Sequence, residues 1–382
     1  MSKGTAISLF SGLGGDTLGL HNADYNVIAF SENMPCAIKN HILNFPTSTL
    51  IDSQNINNQQ DQQDQQDQQD QQDQQSPVYT DITKIPDNIF EKYQSKIDLI
   101  FAGFPCQGFS NAGKKQSNDP RNTLFREFVR VTRTIQPKII IGENVKGLLS
   151  RTADNGESYI SIICNEFDKI GYTCFTKVLK CEQYGIPQTR ERLIIVGVSK
   201  DHYPDFQMTW PPELPQTSNL INIIKFSMEG AISITKDDFD MTSIPPECII
   251  TDLNNDSDPI GDPHPYLRLK SKSRNTEYQG TVHHSLLSFG KRASPIHCEI
   301  IDIRKPSKTI ICTYDHQPRL FVPLRNSKGY FLRCILPDEL KQIQGFPADF
   351  KLEGTEKQKI VMIGNAVPPP LITQVVNNLQ LN

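Results

Sequence analysis

The run Ile97-Asp-Leu-Ile-Phe101 carries four large apolar residues in five and breaks off at Gly103 and Pro105. A run that is apolar on nearly every side chain reads as a strand buried on both faces, which points to a parallel strand of an open α/β sheet. The break then presents Cys106 on a loop at the strand's carboxyl end, where such sheets collect ligands and reacting groups. A single cysteine is more often a small buried apolar residue, so the weight rests on its company.

The same rhythm of strand, turn and helix runs through the first 200 residues. Residues 5–10 read as a strand entering a glycine turn at 12–15, followed by a helix from about Asp16, a plausible N-cap. Gly12-x-Gly14-Gly15 lacks the third glycine of the dinucleotide fingerprint, which disfavours a nicotinamide site. A second strand at 25–30 ends in Ser31-Glu32-Asn33, and a carboxylate there can accept from both hydroxyls of a ribose. A helix is expected at about 35–44, another over 124–133, and a strand at 138–141 that delivers Glu143 and Asn144. A helix at about 158–170, a strand at 173–179, the segment 184–198 and a terminal helix at about 372–381 complete the pattern. Five copies of Asp-Gln-Gln at 61–75 interrupt it, inside a polar tract from about 52 to 76. With no apolar residue to offset the entropy of ordering, that tract is expected to be a disordered insertion.

Six stretches follow one another in order. They are Phe10-Ser-Gly-Leu-Gly-Gly15, the Pro105-Cys106 loop, Glu143-Asn-Val145, Gln188-Thr-Arg-Glu-Arg192, Gln344-Gly-Phe-Pro347 and Gly364-Asn-Ala-Val-Pro368. Together they resemble the motif set of the DNA (cytosine-5) methyltransferases over roughly residues 4–198 and 304–376. The resemblance implies an α/β fold, a Rossmann-like S-adenosylmethionine-dependent methyltransferase sheet with an inserted smaller target-recognition domain. The expected boundaries are 1–198 and 326–382 for a discontinuous catalytic domain, and 199–325 for target recognition.

The resemblance also implies roles. Carbon 5 of cytosine is a poor nucleophile, and attack of a Cys106 thiolate on carbon 6 answers that problem. An unperturbed cysteine is only about 3% thiolate at neutral pH, so Cys106 needs a cationic neighbour. Glu143 is the group expected to neutralise ring nitrogen 3, and one of Arg190 and Arg192, which share a face of an extended segment, is expected to hold the base's carbonyl oxygen and help lower the Cys106 pKa. Phe10, Ser11, Gly12, Gly14, Glu32, Asn33, Asp81, Ile82, Pro105, Leu124 and Asn365 are expected around S-adenosylmethionine, and no metal is implied. Gln107, Ser110, Lys291 and Arg292 are expected on DNA, and the base must leave the duplex to be reached. An RNA (tRNA) cytosine-5 enzyme and a non-catalytic DNA-binding relative are the rival readings. The 127-residue insert favours the duplex reader over the first, and intact Cys106, Glu143 and Arg192 speak against the second.

Charge decides less than its distribution does. The net charge of −4 includes six aspartates at 52–75, without which the chain is at +2. Residues 201–263 carry twelve acids against Lys225 and Lys236, whereas residues 264–325 carry eleven bases against four acids. The basic half is therefore the expected DNA-facing part. Nine cysteines without a Cys-x-x-Cys pair, no leader and no run of about 18 apolar residues fit an intracellular, reducing compartment and no membrane span. The partners expected are duplex DNA and a cognate restriction endonuclease, with the enzyme acting as a monomer.

Overall fold

The computed structural model describes residues 2–54, 80–105, 124–215, 218–264, 267, 287–292, 298–314 and 318–381. The Asp-Gln-Gln tract and the stretch 106–123, with Cys106, Gln107 and Ser110, lie outside the described residues. The chain forms two compact units, one of Met1–Lys180, Glu191–Glu213 and Ala366–Asn382, the other of Cys181–Arg190 and Leu214–Asn365. Among the described residues no helix is long and apolar enough to cross a membrane.

The first unit is built on strands β1 (Gly4–Leu9), β2 (Tyr25–Ser31), β3 (Thr49–Leu50), β4 (Leu99–Ala102), β5 (Ile139–Val145), β6 (Tyr172–Lys180) and β8 (Glu191–Ser199). The short β7 (Gln188–Thr189) between the last two belongs to the second unit. The sheet order is β3-β2-β1-β4-β5-β8-β6, with β8 antiparallel to both its neighbours and the first five strands parallel. The α/β expectation therefore holds. All four residues of β4 are fully buried, as a strand covered on both faces requires. Helices α1 (Gly15–His21), α2 (Pro35–Asn44), α3 (Asp87–Glu91), α4 (Phe125–Ile135), α5 (Tyr159–Asp168) and α8 (Pro369–Asn377) complete the unit. In α4 the buried Phe125, Phe128, Val129, Thr132 and Ile135 form one stripe, while Arg126 and Arg133 are exposed. The terminal helix starts three residues earlier than expected and packs on α1: a Cβ on Gly19 would lie 2.7 Å from Ile372 Cβ. Only glycine admits that approach.

The second unit holds a mixed sheet of β9 (Ile232–Ile234), β10 (Ile250–Asp252), β11 (Leu287–Phe289), β12 (Cys298–Ile300), β14 (Leu320–Asn326) and β15 (Gly329–Cys334). Strand β14 pairs β12 with its first residues and β10 with its last, both parallel, and β15 antiparallel on its other edge. A ribbon of β7 and β13 (Ser307–Lys308) and helices α6 (Pro337–Ile343) and α7 (Glu356–Asn365) belong to the same unit. Phe321, Leu332, Ile300, Met241 and Cys248 sit at the centre of its core.

One ion pair ties this unit together. Arg333, fully buried at the end of β15, donates Nη1 to Glu339 Oε2 at 2.8 Å and Nη2 to Glu339 Oε1 at 2.7 Å. Arg333 Nη2 also donates to Lys225 O at 2.7 Å, and the Lys225 and Leu336 amides donate back to Glu339. The pair thus clamps the segment at 225 to the start of α6. Breaking a buried pair from one side leaves a charge without its partner, at a cost of about 3–5 kcal/mol. Arg333→Met should therefore destabilise the second unit by that amount in denaturant melts. The double variant Arg333→Met with Glu339→Met should recover most of the loss, and a double variant no better than the single would mean that shape, not charge, sets the cost.

Candidate active site

Register brings the expected site residues to one edge of the first unit's sheet. Leu9 on β1 is level with Ser31 on β2 and with Ala102 on β4, and Ala102 is level with Gly142 on β5. Phe10, Glu32 and Gly103 follow their strands at the sheet's carboxyl edge, level with Glu143, which still pairs with Ile194 because β5 runs on to Val145. The chain runs outward from β1 in both directions, so the gap between β1 and β4 is a topological switch point, the usual ligand crevice of such sheets. Three strand spacings separate β2 from β5, about 14 Å at roughly 4.8 Å each.

At the β1 side the backbone turns on left-handed residues: Phe10 at φ 56°, Gly12 at φ 54° and Gly14 at φ 85°. Phe10 occupies this region at a cost of about 1–3 kcal/mol that the surrounding contacts must offset. A Cβ on Gly14 would lie 2.6 Å from the Phe45 ring, so glycine is required there twice over. Glu32 staples this loop to β2. Its Oε2 accepts from the Gly12 amide at 2.7 Å, and its Oε1 from the amides of Asn33 at 2.9 Å and Met34 at 2.8 Å. Ser11, nearly buried, donates its amide to Ser31 O and lies 3.4 Å from Thr17 Oγ1, which contacts His41 Nε2 at 3.0 Å. His41 stacks on Phe30 at 3.7 Å, and its burial, with His21 nearby, pushes its pKa down to about 3. Asp16 is buried, and burial outweighs the Ser8 hydroxyl and Thr17 amide bonds to push its pKa up to about 7.

At the β5 side Glu143 and Arg192 form an ion pair, Nε to Oε1 at 2.6 Å, with each side chain 11% exposed. Val145 lies opposite Arg192 and Glu143 opposite Ile194, so the two charged side chains share a face as diagonal neighbours. Arg192 Nη1 donates to Glu191 O. Asn144, which the sequence reading left without a role, is buried and donates Nδ2 to Phe104 O at 3.2 Å. It anchors the backbone two residues ahead of Cys106. The signal for it was its place inside Glu143-Asn-Val145.

The remaining expected residues are spread more widely. Asp81 caps a short turn through Thr83, Ile82 is buried with its carbonyl held by Arg130, and Pro105 and Leu124 flank residues 106–123, each partly exposed. Arg190 belongs to the second unit, where its buried guanidinium donates to Ile310 O at 3.0 Å and Gly364 O at 3.2 Å. Asn365 is exposed at the end of α7 in that unit, as Lys291 is beyond β11, with Arg292 half-buried next to it.

The edge fits a methyl donor carrying a ribose. A Cβ on Gly12 would meet no described atom within 4 Å, so the loop presents bare backbone to open space. Glu32 accepts three hydrogen bonds from amides and keeps capacity for a hydroxyl.

The family model described as C-5 cytosine-specific DNA methylase matches residues 4–73 and 61–381. Type II methyltransferase M1.ScrFI of Lactococcus lactis subsp. cremoris is 26% identical over 99% of this chain and 78% of its own length. M.FnuDI of Fusobacterium nucleatum is 29% identical over 96% of this chain and 91% of its own length, and M.DdeI of Desulfomicrobium norvegicum 32% identical over 59% and 47%. Among solved structures, a Spodoptera frugiperda DNMT2 variant aligns at a TM-score of 0.62 with 16% identity, covering 99% of each chain. The Entamoeba histolytica methyltransferase EhMeth aligns at 0.60 with 17% identity over 99% of this chain and 98% of its own. These structures share the fold.

Asp16 and His41 make opposite demands on pH. Below its raised pKa Asp16 is protonated in the fold, so its contribution is full below about pH 4 and is lost as pH rises through about 7. His41, with its pKa depressed, contributes fully above about 6.5 and loses that as pH falls toward 3. Between these limits folding moves one proton from imidazole to carboxyl, and the two slopes offset each other. Asp16→Asn should therefore gain stability over the unmodified chain as pH rises from about 4 to 7, by up to roughly 4 kcal/mol at about 1.4 kcal/mol per pKa unit. Denaturation midpoints across pH 4–8 test this, and a flat difference would mean that Asp16 titrates normally.

Proposed function

This chain belongs to the C-5 cytosine-specific DNA methylases, and from that premise we propose that Cys106 attacks a cytosine turned out of duplex DNA. The chain is a DNA cytosine-5-methyltransferase. The observation that carries the mechanistic reading is the Glu143–Arg192 pair, standing at the carboxyl edge one strand from the loop that leads to Cys106.

S-adenosylmethionine, when bound, supplies an electrophilic methyl group on a sulfonium. Phe10, Ser11, Gly12, Gly14, Glu32, Asn33, Asp81 and Ile82 are the residues that would hold it, Glu32 through the ribose. The Cys106 thiolate adds to carbon 6 of the base, which makes carbon 5 nucleophilic. Glu143, which takes up a proton only as the cytosine enters, passes it to nitrogen 3 as charge builds there, and Arg192 steadies the resulting carboxylate and the base. Two of its nitrogens are engaged, Nε by Glu143 and Nη1 by Glu191, which leaves Nη2 for the base's carbonyl oxygen. With the donor bound, carbon 5 would take its methyl group and the thioether would be released. Removal of the carbon 5 proton by a base then re-forms the 5,6 double bond, expels the Cys106 thiolate and lets nitrogen 3 return its proton to Glu143. Arg190 acts one step removed, as a positioning residue that holds the Ile310 and Gly364 carbonyls. The relatives named Type II methyltransferases support a modification role on DNA, and the same reading takes the enzyme as a monomer beside a cognate endonuclease in a reducing compartment. Residues 199–325 are the target reader, and their DNA face lies within 264–325.

Cys106→Ser should abolish transfer of labelled methyl groups to duplex DNA while leaving DNA binding nearly intact, because the hydroxyl is close in shape but far less nucleophilic. The parent enzyme should be trapped covalently by duplexes carrying 5-fluorocytosine. Glu143→Gln should lower kcat by about 100-fold or more. Robust turnover by the serine variant, or transfer to structured RNA in preference to DNA, would overturn the reading.

Lys291→Ala with Arg292→Ala should weaken DNA binding and reduce its dependence on salt by about one unit of slope per lost phosphate contact. Neutralising Asp237 and Asp238 should do neither. The reverse result would put the DNA face in the acidic half.

A further inference from the structure

Within the second unit, β12, β13 and the turn between them close on a partly open cavity of about 150 Å³. Its polar lining consists of Thr189, Glu299, Asp302, Lys305, Ser307 and Lys308. Most of these groups are engaged. Asp302 accepts from Arg304 through Nε at 2.9 Å and Nη2 at 3.0 Å, and from Cys248 Sγ at 3.3 Å. Thr189 donates Oγ1 to Ser307 O at 3.2 Å.

Glu299 is different. It is 6% exposed in the middle of β12, and its Oε2 has no hydrogen-bond partner among the described residues. An unmet buried acceptor costs about 1–3 kcal/mol and is tolerated where a ligand supplies the donor. Burial raises the Glu299 pKa against the opposing pull of the Lys308, Arg292 and Lys305 charges and of the Arg292 amide, and of these cations Lys305 and Lys308 line the cavity with it. Lys305 pairs with Asp302 Oδ2 at 3.4 Å, its side chain 65% exposed.

The occupant must suit both charges. A lone cation would meet Lys305 and Lys308, and a lone anion would meet the carboxyls of Glu299 and Asp302. A base edge between backbone phosphates carries a donor and flanking anions together. Among the four bases, cytosine shows the major groove a donor alone, guanine shows acceptors, and adenine sets an acceptor beside its donor. A carboxylate, which only accepts, fits cytosine.

Resting on the reading that this chain methylates duplex DNA, we propose that Glu299 is a specificity-determining residue. Its free oxygen accepts from the N4 amino group of a cytosine in the target site, other than the one methylated, while Lys305 and Lys308 meet the flanking phosphates. Glu299, Lys305 and Lys308 lie inside the basic stretch 264–325, which charge alone had marked for DNA, with Thr189 and Leu220 completing the cavity wall.

The test uses the full-length enzyme on a pool of duplexes randomised around the methylated cytosine, read by sequencing for 5-methylcytosine. The parent enzyme should demand cytosine at one further position by about 10- to 100-fold. Glu299→Gln should lose that demand and shift toward adenine, whose donor and acceptor a glutamine matches. Lys305→Ala with Lys308→Ala should keep the preference and lower the salt slope by about two units. An active glutamine variant with unchanged preference would overturn the proposal. Should that variant fold poorly, the parent enzyme can be given duplexes in which each cytosine in turn is replaced by pyrimidin-2-one, which lacks the amino group. Loss of about 10-fold or more at one position away from the methylated base supports the proposal, and indifference at every such position overturns it. A parent enzyme that methylates no duplex would instead sink the functional reading itself.

Discussion

The parallel pairing of β4 between β1 and β5 is the constraint on which the rest depends. All four β4 residues are fully buried, so neither face of the sheet has room for reacting groups. Polar chemistry is forced to the strand ends, where backbone leaves the ladder and water or ligand can reach it. The register across β2, β1, β4 and β5 then sets Glu32, Phe10, Gly103 and Glu143 in a row without any of them touching in sequence.

Buried polar side chains do the finer placing, and each works by satisfying backbone groups that the sheet leaves open. Glu32 collects three amides and so shapes the glycine loop; Asn144 holds the Phe104 carbonyl and so shapes the approach to Cys106. In the second unit Gln188 donates to Gln344 at 2.7 Å and accepts from the Ile310 amide at 2.9 Å. Those bonds join two of the sequence motifs through side-chain amides rather than apolar packing. Hydrogen bonds to such groups contribute about 1 kcal/mol each when made and cost more when left open, so they fix loops sharply.

The second unit shows what the same rule does to carboxylates. Glu339 is fully met, by both guanidinium nitrogens of Arg333 and by two amides, and its place is structural. Glu299 is as buried but keeps an oxygen unmet beside cations. Burial alone does not separate the two; hydrogen-bond satisfaction does. That distinction is what turns one acid into scaffold and marks the other as a contact for something absent from the chain itself.

Much of this was legible in the residues. Apolar runs and glycine turns determined the strands, helices and α/β class, because a strand buried on both faces leaves a continuous apolar record and a left-handed turn demands glycine or tolerates little else. Glu32 and Glu143 were readable as strand-end carboxylates for the same reason. Pairing was not readable. Whether Arg190 or Arg192 meets Glu143 depends on β8 running antiparallel to β5, which puts Arg192 diagonal to the glutamate, while Arg190 falls in the other unit on carbonyls of residues 310 and 364. Nor could charge runs show that Asp302 is quenched by Arg304 while Glu299 is not. Local pattern records which face of an element is apolar; which polar groups satisfy one another is decided by neighbours far apart in the chain, and only the tertiary structure brings them together.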